Sequence, residues 1–168
     1  VSNRSKQIKI NLIITSQYLK YQEPAFGIGN ATMPTYQTEK DVVSEEDTIS
    51  FLRRKWGFRI ERMPDFNEFD YAVINKAGSV KGLVEIKNRK ADAAKYPTII
   101  LSMSKVLAAK QWSDQGVRCF LVVRVGNGKP RALEINKTRP ADIRFGGRDG
   151  RNHQEPLAHY KKEDFRVI

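Results

Sequence analysis

The sequence has few of the residues that build several common kinds of functional site. It contains one cysteine, Cys119, and two histidines, so no intramolecular disulfide can form and no cluster has the spacing of zinc ligands. No Gly-x-Gly-x-x-Gly or P-loop segment is present, which removes the usual sequence signals for a nucleotide-binding site. Heptads, internal repeats and low-complexity tracts are also missing. These absences point to a globular domain rather than a coiled coil or a repeat protein.

Long hydrophobic runs are missing as well. The apolar stretch at residues 8–14 is interrupted by Lys9 and Asn11, and a membrane-spanning helix needs about 20 apolar residues. The stretch is not followed by the small-residue cleavage site of a signal peptide. We therefore expect a cytoplasmic protein with no membrane partner. Cys119 lies in the apolar run 117–125 and is expected to be a core residue.

Basic residues dominate the charge. Lys and Arg number 30 against 19 Asp and Glu, which gives a formal net charge of +11 and an isoelectric point of about 9.8. Such an excess suggests a polyanionic partner such as nucleic acid. The 168 residues have the size of one domain, which can bury roughly 70% of its unfolded surface.

One predicted hairpin carries the residues with the clearest chemistry. Its two strand-like runs lie at residues 69–74 and 80–87. If Ala77 and Gly78 form a two-residue loop, Asp70 lies directly opposite Glu85, with Cβ atoms about 4.5–5.5 Å apart. Lys87 shares the face of Glu85 because side chains alternate along a strand. The sequence thus predicts two carboxylates and a lysine on one face.

Two carboxylates at this separation could hold one divalent cation. Mg²⁺ prefers a few carboxylate oxygens together with water and phosphate, and Mn²⁺ is a plausible substitute. A bound cation polarises phosphate and lowers the pKa of water, while Lys87 could orient that water or neutralise developing charge. The alternative is a solvated Glu-x-Lys on a half-exposed hairpin. The apolar neighbours Leu83, Val84 and Ile86 favour a buried strand, where charged residues need partners.

The pattern resembles the PD-(D/E)XK nuclease superfamily, in particular its phage-encoded, restriction-endonuclease-like members. Asp70 and the triplet Glu85-Ile86-Lys87 match the acidic residue and the Glu-x-Lys of the signature, with Asp65 of Pro64-Asp65 as the alternative acid. The resemblance implies an α/β fold, with a central mixed β-sheet flanked by helices in αβββαβ order. It also implies a deoxyribonuclease and favours an endonuclease over an exonuclease, although the sequence itself distinguishes neither these two nor DNA from RNA. Mg²⁺ would be held by Asp70, Glu85 and the Ile86 carbonyl.

Two helices are implied around the hairpin. The first, at residues 41–56, would carry Glu45 in line with the buried stripe, and Ser44 would be its N-cap. Glu45 and its acidic neighbours could instead simply favour the first helical turn. The second helix, at 102–115 before Gly116, would bring Lys105 to the metal site, or leave it as an ordinary solvated lysine. Strands are expected at 58–62, 117–125 and 131–136.

The resemblance covers residues 41–168 and includes segments around 95–105 and 145–159. Residues 1–40 are therefore predicted to be an N-terminal extension or arm. If the chain is phage-encoded, its compartment is the cytoplasm of the bacterial host. The resemblance leaves open which nucleic-acid structure is cut and whether the chain acts as a homodimer.

Basic residues near the hairpin and in a glycine-rich stretch are candidates for contact with the nucleic-acid backbone. The candidates are Arg89, Lys90, Arg144, Arg148 and Arg151. Glycines let backbone amides approach phosphates, and arginine binds phosphate through two donors, although 143–152 could equally be a flexible basic loop. Two other functions remain open: a non-catalytic nucleic-acid-binding protein on a nuclease-like scaffold, and a structural or assembly protein.

Overall fold

The computed structural model describes residues 39–65, 67–147 and 154–168. The two helices of this part are α1 (Glu39–Trp56) and α2 (Met103–Asp114). The strands are β1 (Arg59–Arg62), β2 (Tyr71–Ile74), β3 (Val80–Arg89), β4 (Thr98–Ser102), β5 (Arg118–Val125), β6 (Arg131–Glu134), β7 (Asp142–Gly147), β8 (Gln154–Lys161) and β9 (Arg166–Val167). Most of the predicted N-terminal arm, and both Arg148 and Arg151, lie outside the described residues.

A mixed six-stranded sheet forms the centre of the fold. Its strand order is β1-β2-β3-β5-β6-β9, with β3 and β5 parallel and the other neighbours antiparallel. Strand β5 lies between β3 and β6, and Cys119 is fully buried in it. This burial confirms a core residue, and it raises the pKa of the Cys119 thiol to about 12. The predicted α/β class with a central mixed sheet is confirmed.

The two faces of this sheet are covered differently. On one face, Ile49 and Leu52 of α1 are fully buried and pack with Val84 and Val122, as the predicted stripe of α1 requires. On the other face, α2 and a second sheet cover a larger cluster that includes Leu121. Neither helix of the described part is long and apolar enough to cross a membrane. The sheet therefore presents an α1 face and an α2 face.

The helix ends agree with the sequence in α2 and differ in α1. Ser102 caps α2 by accepting a hydrogen bond from the Ser104 N–H at 3.3 Å, and Gly116 follows the helix with φ +77°. In contrast, α1 begins at Glu39, so the prediction of Ser44 as N-cap is wrong. Ser44 lies within the helix, and its carbonyl accepts a hydrogen bond from Thr48 Oγ1 at 3.1 Å. Residues 39–43 extend the helix ahead of Ser44, and none of them is glycine or proline, the residues that most disfavour a helix.

The hairpin has the predicted register but not the predicted turn. Asn75 N–H bonds to the Ser79 carbonyl and Gly78 N–H to the Asn75 carbonyl, both at 3.0 Å, so the loop contains three residues rather than two. Gly78 takes φ +80°, which glycine adopts at little cost. A register shift between Val73 and Ile74 compensates for the extra residue. As a result, Tyr71 pairs with Val84, the alignment expected from the sequence.

A second, three-stranded sheet in the order β4-β8-β7 was not predicted. Residues 98–102, where no strand is predicted, form β4, and the stretch that could be a flexible basic loop begins as strand β7 with Arg144 in it. The pairing of β7 with β8 supplies the structure that local sequence does not reveal. Phe145 pairs with Pro156 and Gly146 with Glu155.

Candidate active site

Asp70 is held in place by backbone hydrogen bonds immediately before β2. Its carbonyl accepts a hydrogen bond from the Met63 N–H at 2.8 Å, and its N–H donates to the Val84 carbonyl at 3.1 Å. Its Oδ2 accepts a hydrogen bond from the Ile86 N–H at 2.8 Å. The paired residues of β2 and β3 start at Tyr71. Just before this point, the Asp70 carboxylate takes the place of a backbone carbonyl as the acceptor for the Ile86 N–H.

Glu85 places a second carboxyl group beside the first. It is 5% exposed and lies within hydrogen-bonding reach of the Asp70 carboxyl. Burial, and then the charge of Glu85, raise the pKa of Asp70 to about 7, although the Ile86 N–H and Lys105 act in the opposite direction. Two like charges this close disfavour joint ionisation. The pair is therefore poised to take up either a proton or a cation.

Two lysines contact the opposite oxygens of Glu85. Lys87 Nζ lies 3.5 Å from Oε1, and Lys105 Nζ makes a close ion pair with Oε2. Burial lowers the pKa of Lys87, the Arg89 and Lys105 cations lower it further, and Glu85 opposes this shift. Lys87 therefore releases its proton more readily than an ordinary lysine.

The structure brings four of the five predicted catalytic residues together. Asp70, Glu85 and Lys87 lie on the α2 face, as alternation along β2 and β3 requires, and Lys105 reaches them from the first turn of α2. The alternative acid, Asp65, is instead exposed, and its Oδ1 lies 3.6 Å from Nη2 of Arg62. Asp70 is thus the acid that the fold places beside Glu85.

Glu45 approaches the sheet from the other side. Its Oε2 accepts a hydrogen bond from Tyr71 Oη at 3.4 Å, and Tyr71 belongs to the cluster under α1. The side chains of Asp70 and Glu85 lie on the α2 face. The structure therefore supports the predicted position of Glu45 in the buried stripe, and its catalytic role stays a prediction.

Sequence reasoning missed a polar contact behind the site. Thr48, fully buried on α1, contacts Asn88 through its hydroxyl, with Oγ1 and Oδ1 3.2 Å apart. Asn88 directly follows Lys87, so strand alternation sends its side chain to the α1 face. That alternation was the sequence signal that could have placed Asn88 on the α1 face, apart from the proposed backbone contacts Arg89 and Lys90.

The predicted backbone-contacting residues lie in two places. Arg89 ends β3 close enough to Lys87 to influence its pKa, and Lys90 follows it as an exposed residue. Arg144 lies in β7, where its Nε contacts Asp142 Oδ2 at 2.6 Å. Arg148 and Arg151 are outside the described residues. Arg89 and Lys90 thus lie at the end of β3 beyond Lys87, while Arg144 belongs to the second sheet.

The described part of the chain contains no group of three or more His, Cys, Asp or Glu side chains that could hold a metal ion. The acidic donors at this site are two carboxylates. Any further ligands would have to be backbone carbonyl, water or phosphate oxygens, the ligands that Mg²⁺ commonly keeps.

A family model described as "Phage putative PDDEXK endonuclease" matches residues 31–168. The chain belongs to this family, which confirms the resemblance seen in Asp70 and Glu85-Ile86-Lys87. The match begins at residue 31, and the predicted arm at residues 1–40 stays a prediction.

Among solved structures, the chain is similar to Hjc, a Holliday junction resolvase from the archaeal hyperthermophile Archaeoglobus fulgidus. The identity is 15% and the TM-score 0.48, over 77% of this chain and 92% of that chain. No curated protein matches the sequence.

Proposed function

We propose that this protein is a metal-dependent DNA endonuclease whose centre is Asp70, Glu85 and Lys87. The observation that carries the proposal is the pair of carboxyl groups, Glu85 buried and Asp70 partly buried, with a lysine of lowered pKa beside it, in a chain of an endonuclease family. Withdrawing two acids and two lysines from much of the solvent is costly unless the groups serve a purpose. Strongly shifted pKa values of this kind cluster at functional sites.

The donor set fits a hard divalent cation such as Mg²⁺, with Mn²⁺ as a substitute. Burial and the charge of Glu85 raise the pKa of Asp70 to about 7, and a bound cation would oppose both effects. Asp70 Oδ2 is already oriented by the Ile86 N–H. The Ile86 carbonyl points to the same side of β3 as its N–H. Asp70, Glu85 and the Ile86 carbonyl are therefore the proposed metal ligands.

Phosphodiester hydrolysis needs an activated water and neutralisation of the charge that develops on phosphate. The cation would supply both effects by polarising phosphate and lowering the pKa of water. Lys87, with its lowered pKa, would accept a proton from the attacking water or donate a hydrogen bond to the phosphate. Lys105 would hold Glu85 in position and lend positive charge to the phosphate.

DNA is the proposed partner, bound mainly through its backbone. Arg89 and Lys90 extend the basic surface from the end of β3, and the remaining proposed contacts are Arg144, Arg148 and Arg151. Glu45 is proposed as an assisting acid from α1. A phage endonuclease would work in the cytoplasm of the bacterial host, and action as a homodimer would place two such centres on a duplex.

The test is incubation of purified protein with supercoiled plasmid, linear duplex or single-stranded DNA, in Mg²⁺, Mn²⁺ or EDTA, beside a Glu85→Ala variant. We expect cutting that requires metal and is lost in the variant, and nicking of closed plasmid would identify an endonuclease. Binding without cutting on all substrates would instead support the alternative, a non-catalytic nucleic-acid-binding protein on a nuclease-like scaffold.

A further inference from the structure

A groove of about 1010 Å³ opens away from the acidic pair. Its lining includes Gly82 near the start of β3 but none of Asp70, Glu85 and Lys87. At about 3.3 Å per residue, roughly 10 Å of strand separates Gly82 from Glu85. The residues of the six-stranded sheet that line the groove include Val73, Phe120 and Ala132, which belong to the α1 face. The groove is thus separate from the proposed catalytic centre.

Aromatic side chains form one part of the lining. Trp56 from the end of α1 and Phe120 from β5 pack with ring centroids 5.5 Å apart. The guanidinium of Arg118 lies 4.9 Å from the centroid of the Phe120 ring. Phe58, between α1 and β1, is 40% exposed. This combination leaves flat apolar surface open to solvent.

Gly82 permits this packing. A Cβ at this position would lie 3.0 Å from the Arg118 carbonyl and 3.4 Å from the Phe120 ring. A side chain would therefore press on the β5 backbone and fill the space beside the Phe120 ring, so the absence of one keeps this part of the groove open.

Positive charge borders the aromatic surface. Four cationic side chains line the groove, from Lys81, Arg118, Lys137 and Arg166, against two acidic ones, from Glu134 and Asp164. Glu134 is occupied, since its carboxylate contacts Arg118 at 2.7 Å and Lys137 at 3.3 Å. Within the described ranges, neither Lys81 nor Arg166 forms an ion pair at 4.0 Å or less. These two cations remain available to an anionic ligand.

We propose that this groove binds a single-stranded segment of nucleic acid. Bases would stack on Phe58 and Trp56, and Lys81 and Arg166 would contact the phosphates. Sites that bind single strands combine a positive groove with aromatic platforms, the combination seen here. A second copy of this chain is disfavoured as occupant because each copy carries a net charge of +11. The inference goes beyond the proposed cleavage and does not depend on it.

The experiment measures binding of a labelled oligothymidine by fluorescence anisotropy in EDTA, where metal-dependent cutting cannot occur. The comparison is between the parent protein and the double variant Phe58→Ala/Lys81→Ala. Both positions are exposed, so the fold should persist, and thermal unfolding checks this. We expect the double variant to bind at least about tenfold more weakly, since one stacked base alone contributes about that much.

Tyr96→Ala/Lys110→Ala is the matched control, because it removes one exposed aromatic and one exposed lysine away from the groove. It should bind the oligonucleotide like the parent protein. In a Trp112→Phe background, Trp56 is the single tryptophan, and its fluorescence should be quenched as the oligonucleotide binds.

Equal binding by the groove variant and the control would overturn the proposal, as would unchanged Trp56 fluorescence at saturation. Loss of a dimer in the groove variant, seen by light scattering without a change in oligonucleotide affinity, would assign the groove to a second copy instead. Loss of plasmid cutting with retained groove binding would count against the proposed endonuclease alone, so the two proposals fail separately.

Discussion

Asp70 and Glu85 place their carboxyl groups within hydrogen-bonding reach of each other on one face of the hairpin. The arrangement follows from the antiparallel register in which Tyr71 pairs with Val84. Asp70 comes just before Tyr71 and Glu85 just after Val84, so the same register brings the two acids together. Burial, added to their mutual repulsion, makes the last proton on this pair hard to remove. Most of the predictions below depend on that relationship.

The first prediction concerns pH and stability in the absence of metal. The pKa of Asp70 is about 7 in the folded chain and about 3.9 in an unfolded one. Between these values the folded state keeps a proton that the unfolded state has released. The stabilisation from this group is therefore full below about pH 4 and is lost as pH rises to about 7. Asp70→Asn should remove this component, of up to about 1.4 kcal/mol per pH unit.

The measurement is urea unfolding in EDTA between pH 4 and 8, comparing the parent protein with Asp70→Asn and Asp65→Asn. Since Asp65 is exposed, its variant should follow the parent curve. Identical pH dependence in all three proteins would show that Asp70 is not the group responsible.

The second prediction concerns divalent cations. A cation that binds only the folded state raises the free energy of unfolding by about 2.7 kcal/mol at a concentration of 100 times Kd. Protons compete for Asp70, so Mn²⁺ or Mg²⁺ should raise the melting temperature more at pH 8 than at pH 5.5. The shift should vanish in Glu85→Ala. A shift of equal size in that variant would locate the cation elsewhere.

The third prediction separates the lysines. Lys87→Ala should lower kcat by about 10²–10⁴-fold, because proton transfer and charge neutralisation contribute on that scale. Lys105→Ala should have a smaller effect, since Lys105 acts partly through Glu85. Lys110→Ala, an exposed lysine on the same helix, serves as the control and should be unchanged. Single-turnover cleavage rates measure all three, and full activity of Lys87→Ala would remove it from the mechanism.

The fourth prediction concerns the buried contact behind the site. Thr48→Val keeps the shape of the side chain but removes the hydroxyl that bonds to Ser44 and contacts Asn88. Leaving the Asn88 amide without this partner should lower the free energy of unfolding by about 1–3 kcal/mol. Thr48→Ser, which retains the hydroxyl, should lose less. Chemical denaturation compares them, and equal stability of all three proteins would mean that the contact contributes nothing.

The sequence was sufficient for the hairpin because its two faces are chemically distinct. Buried apolar residues alternate with Glu85 and Lys87 in β3, and a slip by one residue would move the acid to the α1 face. This burial constraint determined the register of the hairpin, although the turn differs from the prediction. The loop has one residue more than predicted, and a register shift compensates for it. Local turn residues alone did not determine the pairing.

The second sheet could not be predicted from local pattern. Strand β7 contains Gly146 and Gly147 and leaves Ile143 and Phe145 exposed, so it lacks the alternation typical of a half-buried strand. Its strand structure comes from pairing with β8. The groove beside Phe58 was equally hidden, since it combines side chains from α1, β3, β5 and the C-terminal residues.

The contact of Lys105 with Glu85 was anticipated only through the family resemblance. Helical periodicity by itself treats Lys105 as a solvated residue between Met103 and Val106. The tertiary position of α2, which starts at Met103 directly after β4, determines this contact because it brings the first helical turn to the acidic pair.

The most direct test of the central claim compares two acids that both fit the sequence signature. Plasmid cleavage in Mg²⁺ is measured for Asp70→Asn and Asp65→Asn at equal protein concentration and equal bound DNA. The account predicts that Asp70→Asn cuts at least about 10²-fold more slowly while Asp65→Asn cuts like the parent protein. Full cleavage by Asp70→Asn, or loss of cleavage only in Asp65→Asn, would contradict it.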